Sequence, residues 1–382
     1  MKGKSLETTW AVATFALAVS VAIGLNAQWA AAQAGAGGPQ TEEVFKNIQI
    51  LKGQPADRLV PTMVFFEASL GVGCPFCHDQ DANKRDLDTK ETKKTARRMI
   101  QMVMDINKNT FAGERRVNCF TCHQGRNRPI GMPVVAGTQL PPALGEDFDA
   151  VRPKPPAVPA VTVDQIFDKY MAALGGSNAV GNASSLVAKG VVIQRRPGRE
   201  FPITQLEISS KAPGKAIMVT RVGQAENTLA YNGGNGWARA GAGPARDLRA
   251  TEVDAAILED TFNLPRQLKQ SLTDLKVMPP ERFEGREWYV VSGRTKSLPQ
   301  VKLYFSEDSG MLTRLVYYTD SIIGQYPTRI EYSDFRAVNG AKVPYRWVIS
   351  QTRNREYTYV MDTVQAASLD DSKFAKPGAS AQ

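Results

Sequence analysis

Residues 74–78, Cys-Pro-Phe-Cys-His, and residues 119–123, Cys-Phe-Thr-Cys-His, are the two stretches from which the organisation of the chain follows. Each has the spacing Cys-x-x-Cys-His, in which two thioethers hold a porphyrin and the adjacent histidine binds its iron. The chain has four cysteines and two histidines, and these stretches contain all of them. The pattern predicts two covalent c-type haems, with thioethers from Cys74 and Cys77 and from Cys119 and Cys122, and with proximal iron ligands His78 and His123.

Three other kinds of chemistry use closely spaced cysteines. One Cys-x-x-Cys pair is typical of thioredoxin-like redox sites, and two pairs together can form an all-cysteine zinc site. Disulfides are a third alternative in an exported protein, although a bridge between cysteines this close constrains little chain. None of these explains why each histidine directly follows a second cysteine. Haem attachment is therefore the favoured hypothesis, with zinc and thiol chemistry as alternatives.

The first 34 residues predict export. Lys2 and Lys4 form a basic start, an apolar run over residues 10–25 follows, and residues 32–34, Ala-Gln-Ala, resemble a cleavage site. An uncleaved anchor helix is the alternative, although the run is shorter than the roughly 20 apolar residues that span a bilayer. We expect the protein in the periplasm or at the outer face of the membrane, where the cysteines meet an oxidising environment.

Length and composition indicate two domains. With 382 residues, 42% of them hydrophobic, the chain can build more than one core. Residues 131–161 are rich in Pro and Ala, which predicts an extended linker between a haem domain over residues 35–130 and a second domain over residues 162–377. The net charge is +9, of which residues 151–382 carry +7, and this asymmetry could orient a docking partner. The interleaved aromatic and basic residues typical of nucleic-acid binding are missing from the sequence.

The order helix, turn, haem motif occurs twice in the first domain, which predicts a mainly α fold. A short helix is expected to begin at Thr41 and end near Gly53. A second helix over residues 61–70 is expected to end at Gly71, shortly before the first motif. A long amphipathic helix over residues 89–109 precedes the second motif.

Methionine is the best remaining side chain for the distal face of each iron, since no further histidine or cysteine exists. Packing of these methionines in a helical core is the ordinary alternative. A His/Met ligand pair raises the reduction potential and closes the iron to substrates, which suits electron transfer. The candidates on the two helices are Met63, Met99, Met102 and Met104.

Residues 47–128 resemble the cytochrome c subunit of photosynthetic reaction centres. The resemblance rests on Met63, on residues 70–73, Leu-Gly-Val-Gly, on residues 96–102, Ala-Arg-Arg-Met-Ile-Gln-Met, and on residues 117–123 around the second motif. It implies that Met63 is the distal ligand of the first haem and that Met99, rather than Met102 or Met104, is that of the second. It also implies electron donation to a membrane redox complex.

The chain departs from the four-haem pattern of that family. A third and a fourth Cys-x-x-Cys-His motif are absent from the sequence, and residues 111–113, Phe-Ala-Gly, stand where the family has a histidine for its fourth haem. The chain thus resembles the first, two-haem half of the subunit. Because only two of the four haems are predicted, the family's role as electron donor to a photo-oxidised chlorophyll pair cannot be transferred directly to this chain.

Residues 162–377 predict an antiparallel β meander with one helical insert. A capped helix over residues 162–174 opens the domain, and apolar runs then alternate with Gly- and Asn-rich turns. The insert over residues 252–275, broken near Pro265, is expected to cover one face of the sheet. This α+β pattern is similar to the periplasmic lipoprotein-carrier fold, an open half-barrel around a helix. Two hypotheses for the function of this domain are docking or scaffolding of the haem domain and binding of an apolar ligand in the curved sheet.

Taken together, these features predict an exported dihaem electron carrier that is not itself an enzyme. Its partners would be redox proteins, foremost a membrane-bound electron-transfer complex. A peroxidase-type haem enzyme is one alternative, but it would need an open iron and acid–base groups beside it, and no spare histidine exists. The other alternative is a hydrophobic-ligand-binding sensor that uses the haems as its cofactor.

Overall fold

The computed structural model describes residues 38–129, 157–195, 201–283, 286–352 and 355–378. We call residues 38–129 the helical part and residues 157–378 the β domain. The predicted signal peptide over residues 1–34 lies outside the described residues, as does the linker prediction up to residue 156.

The helical part contains four α-helices: α1 over Thr41–Val44, α2 over Leu59–Leu70, α3 over Glu91–Thr110 and α4 over Cys119–His123. These helices hold fewer than half of its residues, so the mainly α prediction is confirmed only in part. Single 3₁₀ turns occur at Ala56–Arg58, Cys74–Phe76 and Ala82–Lys84. Among the described residues, no helix is both long enough and apolar enough to cross a membrane.

The first helix is shorter than predicted because its own side chains hold the following loop. The Thr41 hydroxyl donates to the carbonyl oxygen of Leu51 at 2.5 Å, and the Glu42 carboxylate accepts from the amide of Gly53 at 2.9 Å. These bonds turn residues 45–53 back along α1. Helical periodicity is visible in that segment of sequence, but the polar side chains of the first turn are used to close a loop.

Helices α2 and α3 lie close to their predicted bounds. Helix α2 ends at Gly71, whose φ of 66° places it in the left-handed region and whose amide donates to the carbonyl of Glu67 at 2.9 Å. Helix α3 buries Ile100, Val103 and Asn107, a spacing of three and four residues that lies on one helical face.

The β domain is one 13-stranded antiparallel sheet, which confirms the predicted architecture of a large antiparallel sheet. Its order is β6-β5-β4-β3-β2-β1-β13-β12-β11-β10-β9-β8-β7, so two meanders meet where β1 pairs with β13. The strands are β1 Ser185–Arg195, β2 Thr204–Lys211, β3 Lys215–Val222, β4 Ala225–Asn232, β5 Asn235–Ala240, β6 Arg246–Asp247, β7 Thr273–Phe283, β8 Arg286–Arg294, β9 Gln300–Ser306, β10 Leu312–Asp320, β11 Gln325–Val338, β12 Ala341–Thr352 and β13 Arg355–Ala366.

Four helices accompany the sheet: α5 over Val163–Ala173, α6 over Gly176–Asn182, α7 over Ala250–Glu259 and α8 over Leu264–Ser271. Helices α7 and α8 connect the two edge strands, β6 and β7, and Pro265 lies in the first turn of α8, where its missing amide costs no hydrogen bond. Phe167 and Tyr170 of α5 pack on Phe305 of the sheet, with ring centroids 5.8 and 5.5 Å apart. The main core therefore lies between these helices and one face of the sheet.

The β10–β11 turn inserts into the helical part. Ile323 and Tyr326, with 4% and 9% of their surfaces exposed, are buried in one cluster with residues of α2, α3 and α4. A side chain at Gly324 would meet the Phe65 ring at 2.9 Å, so this close approach requires glycine. Asp320 pairs with Arg58 at 3.1 Å and with Arg115 at 3.2 Å. The helical part and the β domain thus share one small core.

This shared core makes Ile323 a test of the contact between the two parts. We expect Ile323→Ala to lower the free energy of unfolding by about 2–4 kcal/mol, because it removes a buried side chain and leaves a cavity. Thermal or urea unfolding, followed by far-UV circular dichroism, measures the loss. Ile203→Ala is the matched control, since Ile203 is 64% exposed and its truncation should change the free energy of unfolding by less than about 0.5 kcal/mol. Equal effects of the two substitutions would contradict the shared core.

Candidate haem sites

The first motif follows the end of α2 and is held open to solvent. Cys74–Phe76 form a 3₁₀ turn in which the amides of Cys77 and His78 both donate to the Cys74 carbonyl, at 3.2 and 3.0 Å. Two side chains at the start of α3 fix this turn. The Lys90 ammonium and the Thr92 hydroxyl donate to the carbonyls of residues 75 and 76, each at 2.5 Å.

The second motif forms the short helix α4. Asn118 caps it, since its side chain accepts from the Thr121 amide at 3.2 Å while the Thr121 hydroxyl accepts from the Asn118 amide at 3.1 Å. The approach to this helix is fixed from α3. The buried Asn107 side chain donates to the carbonyl of Val117 at 2.7 Å and accepts from its amide at 2.9 Å.

The two motif histidines have the same hydrogen-bonding arrangement. His78 Nδ1 lies 2.8 Å from the carbonyl oxygen of Arg85, and His123 Nδ1 lies 2.9 Å from that of Arg126. A carbonyl oxygen can only accept, so each Nδ1 must carry a proton, and in the neutral imidazole the lone pair is then on Nε2. This is the tautomer and the outer hydrogen bond typical of a metal-binding histidine.

The four cysteines are free thiols of unequal exposure. Cys74 and Cys122 are exposed, Cys77 is half-buried and Cys119 is buried. Burial raises the pKa of the Cys77 thiol and raises the pKa of the Cys119 thiol to about 11. Neutral thiols of this kind differ from the low-pKa thiolates of thioredoxin-like sites. Within the described ranges, which include every cysteine and histidine, no three potential metal ligands cluster as a zinc site requires.

The predicted methionines lie beside the motifs in different environments. Met63 of α2 is half-buried against the core shared with the β domain. The three methionines of α3 lie away from its buried face and are exposed: Met99 at 37%, Met102 at 42% and Met104 at 37%. The packing therefore leaves each of them accessible and does not by itself select Met99 as a ligand.

The surface around the motifs is apolar in a way that fits a porphyrin. Phe76 and Phe120, one inside each motif, are 37% and 48% exposed, and Leu87 is 45% exposed. Most of the large exposed apolar side chains in the described chain belong to the helical part, although the β domain is more than twice as long. Exposed apolar surface of this extent favours a bound apolar group. The thiols, the Nε2 atoms and this surface together fit c-type haem at both motifs.

The segments that flank the two motifs are in direct backbone contact. The amide of Gly125, two residues after the second motif, donates to the carbonyl of Ser69 in α2 at 2.9 Å. A Cβ at Gly71 would lie 2.2 Å from the Gly125 carbonyl oxygen. The turn before the first motif therefore packs on the turn after the second, and this contact sets the distance between the two attachment sites.

Several groups that build these sites could not be predicted from the sequence. Arg85 and Arg126 hold the histidine rings through their backbone carbonyl oxygens. Every residue has such a carbonyl, so the residue type does not show which one accepts the hydrogen bond. Glu67 of α2 pairs with Arg355 of β13, Nη2 to Oε2 at 2.6 Å, across 288 positions of sequence. A pair of opposite charges can be predicted from sequence when its residues lie on adjacent elements. Helix α2 and strand β13 are far apart in the sequence, so no such signal was available.

The contact between the turns can be tested with two glycine substitutions. We expect Gly71→Ala to cost about 2–4 kcal/mol of unfolding free energy, since it adds a steric clash to the strain of a left-handed backbone. Gly53→Ala is the matched control, because Gly53 has a similar φ of 72° and no atom within 4 Å of the added Cβ. It should cost only about 1–2 kcal/mol, the strain alone. Chemical denaturation curves measure both, and equal losses would contradict the packing of Gly71 on Gly125.

The raised thiol pKa values predict an order of alkylation in haem-free protein. At pH 8 a thiol of pKa 11 is about one part in a thousand thiolate, and the side chain is also buried, so Cys119 should react with iodoacetamide far more slowly than the exposed Cys122. The difference should shrink as the pH rises towards 11. Timed alkylation with peptide mass spectrometry measures both rates, and similar rates at pH 8 would contradict the burial of Cys119.

Comparison with known proteins adds an independent finding for the N-terminal part. Residues 8–145 match the model of the family described as photosynthetic reaction centre cytochrome C subunit. Two similar relatives are the photosynthetic reaction center cytochrome c subunits of Roseobacter denitrificans, 33% identical over 96 residues, and Rubrivivax gelatinosus, 28% identical over 124 residues. These alignments cover 23% and 28% of this chain and 26% and 31% of the relatives. The chain thus spans between a quarter and a third of their length.

Solved structures similar to the chain include a LolA superfamily protein from Nitrosomonas europaea, with a TM-score of 0.43 and 13% identity over 57% of this chain and 99% of that one. A DUF1329 family protein from Desulfovibrio piger gives a TM-score of 0.42 and 14% identity over 56% of this chain and 97% of that one. The matched N-terminal segment contains both Cys-x-x-Cys-His motifs and all of the helical part. Residues 8–145 are therefore similar to the photosynthetic reaction centre cytochrome c subunit family, as the sequence resemblance predicted.

Proposed function

We propose that this chain is an exported dihaem c-type cytochrome that carries single electrons between protein partners. One observation carries the proposal: in both motifs the histidine Nδ1 is bound to a backbone carbonyl, so that Nε2 is free for iron directly beside two free thiols. The match of residues 8–145 to a cytochrome family supports it. When bound, each haem supplies a one-electron iron couple.

In this proposal the protein residues attach, orient and cover the two cofactors. Cys74 and Cys77 would hold the first haem and Cys119 and Cys122 the second, with His78 and His123 as proximal ligands. Met63 and Met99 would close the distal faces, which would raise both reduction potentials and exclude substrates from the iron. The direct contact between the turns at Gly71 and Gly125 would keep the two attachment sites at a fixed separation, as electron transfer between them requires.

The proposed organisation keeps four segments: a signal over residues 1–34, a haem domain over residues 35–130, a linker over residues 131–161 and a β domain over residues 162–377. Export would place the protein in the periplasm or at the outer face of the membrane. A membrane-bound electron-transfer complex is the proposed partner, because the similar relatives are cytochrome c subunits of photosynthetic reaction centers. The chain itself would transfer electrons without being an enzyme.

Among the described residues, the cavity between the helical insert and the sheet is small for an apolar ligand. A cavity of about 60 Å³ lies between α7 and the sheet, beside Glu259 and Asp260. Hydroxyls of Tyr317 and Tyr231 donate to these carboxylates, each at 2.5 Å, and burial raises the pKa of both carboxyls. Cavities that bind small molecules are about 300–1,000 Å³ and mostly apolar. The volume and the buried carboxyls favour the scaffolding role over an acyl-chain site.

Mass spectrometry of the mature protein tests the cofactor content directly. We expect the mass of the processed chain plus two covalently attached haems, and a gain of one haem in a Cys119→Ser, Cys122→Ser double variant. A mature protein without covalent haem would remove the whole proposal.

Methionine substitutions test the closed-iron arrangement. We expect Met63→Ala and Met99→Ala each to remove about half of the Met-sulfur-to-iron charge-transfer absorbance of the oxidised protein and to lower the potential of one haem. Each variant should also bind cyanide at one iron. Met102→Ala is the matched control, since Met102 has similar exposure on the same helix and its spectrum should not change. Loss of the absorbance in Met102→Ala, with Met99→Ala unchanged, would reassign the ligand.

A further inference from the structure

A buried ion pair joins the β domain to the helix that leads into the first motif. Glu67 of α2 and Arg355, the first residue of β13, lie 2.6 Å apart, and their side chains are 7% and 15% exposed. Charges taken out of water are retained in proteins where they pair closely and are oriented by their surroundings. The pair therefore fixes the β12–β13 end of the sheet against α2.

This ion pair lies at the first haem motif. Glu67 follows Met63 by four residues, so both side chains project from the same face of α2. Glu67 Oε1 lies 3.9 Å from the position that a Cβ on Gly73 would take, and Gly73 directly precedes Cys74. The guanidinium of Arg355 is thus one side chain away from the start of the attachment site.

The guanidinium of Arg355 has an unused donor. Its Nη2 donates to Glu67, whereas its Nε is buried and has no hydrogen-bond partner among the described residues. A buried donor without an acceptor costs free energy, so such an atom in a folded protein calls for an explanation. Arginine binds carboxylates preferentially, through two or more of its five N–H groups. The missing acceptor is therefore expected to be an anionic oxygen beside the Glu67–Arg355 pair.

We propose that Arg355 belongs to the first haem site, where its guanidinium pairs with Glu67 and donates through Nε to a propionate of the haem attached at Cys74 and Cys77. This inference rests on the proposed function, since the propionate comes with the haem. It assigns the β domain a direct role: it supplies an orienting residue that the helical part lacks at this position. Arg355 acts as a positioning residue, because it touches the edge of the cofactor and not its iron.

In the proposed arrangement, Arg355→Gln and Glu67→Gln should shift the reduction potential of the first haem in opposite directions. Oxidation adds a positive charge at the iron, so a nearby cation disfavours the oxidised state and a nearby anion favours it. Arg355→Gln leaves the Glu67 and propionate charges uncompensated and should lower the first haem's potential. Glu67→Gln leaves the guanidinium uncompensated and should raise it. A merely structural pair would move the potential in the same direction in both variants, because both would loosen α2.

The experiment is a spectroelectrochemical titration of purified, haem-loaded full-length protein, with resonance Raman spectra of the same samples. We expect Arg355→Gln to change the oxidised-to-reduced ratio of one haem by about tenfold at fixed potential, which is about 59 mV for a one-electron couple. The propionate bending mode of one haem should shift in Arg355→Gln and shift less in Arg355→Lys, which keeps the charge. The second haem should be unchanged in both.

Arg58→Gln is the matched control, since Arg58 also joins α2 to the β domain, through Asp320, at the opposite end of the helix. It should leave the propionate mode and both potentials unchanged. Unchanged Raman spectra and potentials in Arg355→Gln, with two haems present by mass, would overturn the role of Arg355 alone. Shifts of equal sign in Arg355→Gln and Glu67→Gln would also overturn it. Absence of haem from the wild-type protein would instead overturn the proposed function.

Discussion

The insertion of the β10–β11 turn between the helices is the contact on which the arrangement of the molecule depends. The helical part has only a handful of buried apolar side chains of its own, which is a small core for residues 38–129. Ile323 and Tyr326 enlarge that core from outside. Asp320, held by Arg58 and Arg115, fixes the depth of the insertion because both arginines must reach the same carboxylate.

This contact changes the meaning of the β domain. A Pro- and Ala-rich linker by itself suggests two bodies that move independently, with the sheet as an accessory. The described residues instead attach α2, the helix that leads into the first motif, to the β domain at two points, Ile323 and Arg355. A rigid sheet of 13 strands is thereby attached to the helix that carries Met63. A support of this kind limits the movement of a short helical segment, which is useful where a cofactor must keep its ligands and its distance to a neighbour.

Prediction from sequence succeeded where the physical signal is local. Helices α2 and α3 were expected within two residues of their observed starts because a proline, a C-terminal glycine and helical periodicity act within a few turns of chain. The meander was expected because each hairpin has its own turn residues. The first helix was overextended to Gly53, since periodicity does not show that Thr41 and Glu42 use their side chains to close a loop. The pairing of β1 with β13, which joins the two meanders, brings together strands more than 150 residues apart, and nothing in either strand specifies the other.

The sequence by itself predicted the sites of haem attachment and the candidate iron ligands, because the spacing of two cysteines and a histidine is a property of five consecutive residues. It also determined the alternation of helices and hairpins, for the same local reason. Only the tertiary structure decided that His78 and His123 are hydrogen-bonded through Nδ1, because the carbonyls that hold these atoms depend on how the following loops fold. Only the tertiary structure, likewise, brought Arg355 to Glu67 and Ile323 to Phe65, since burial of charge and of apolar surface between distant segments depends on the packing of the whole chain.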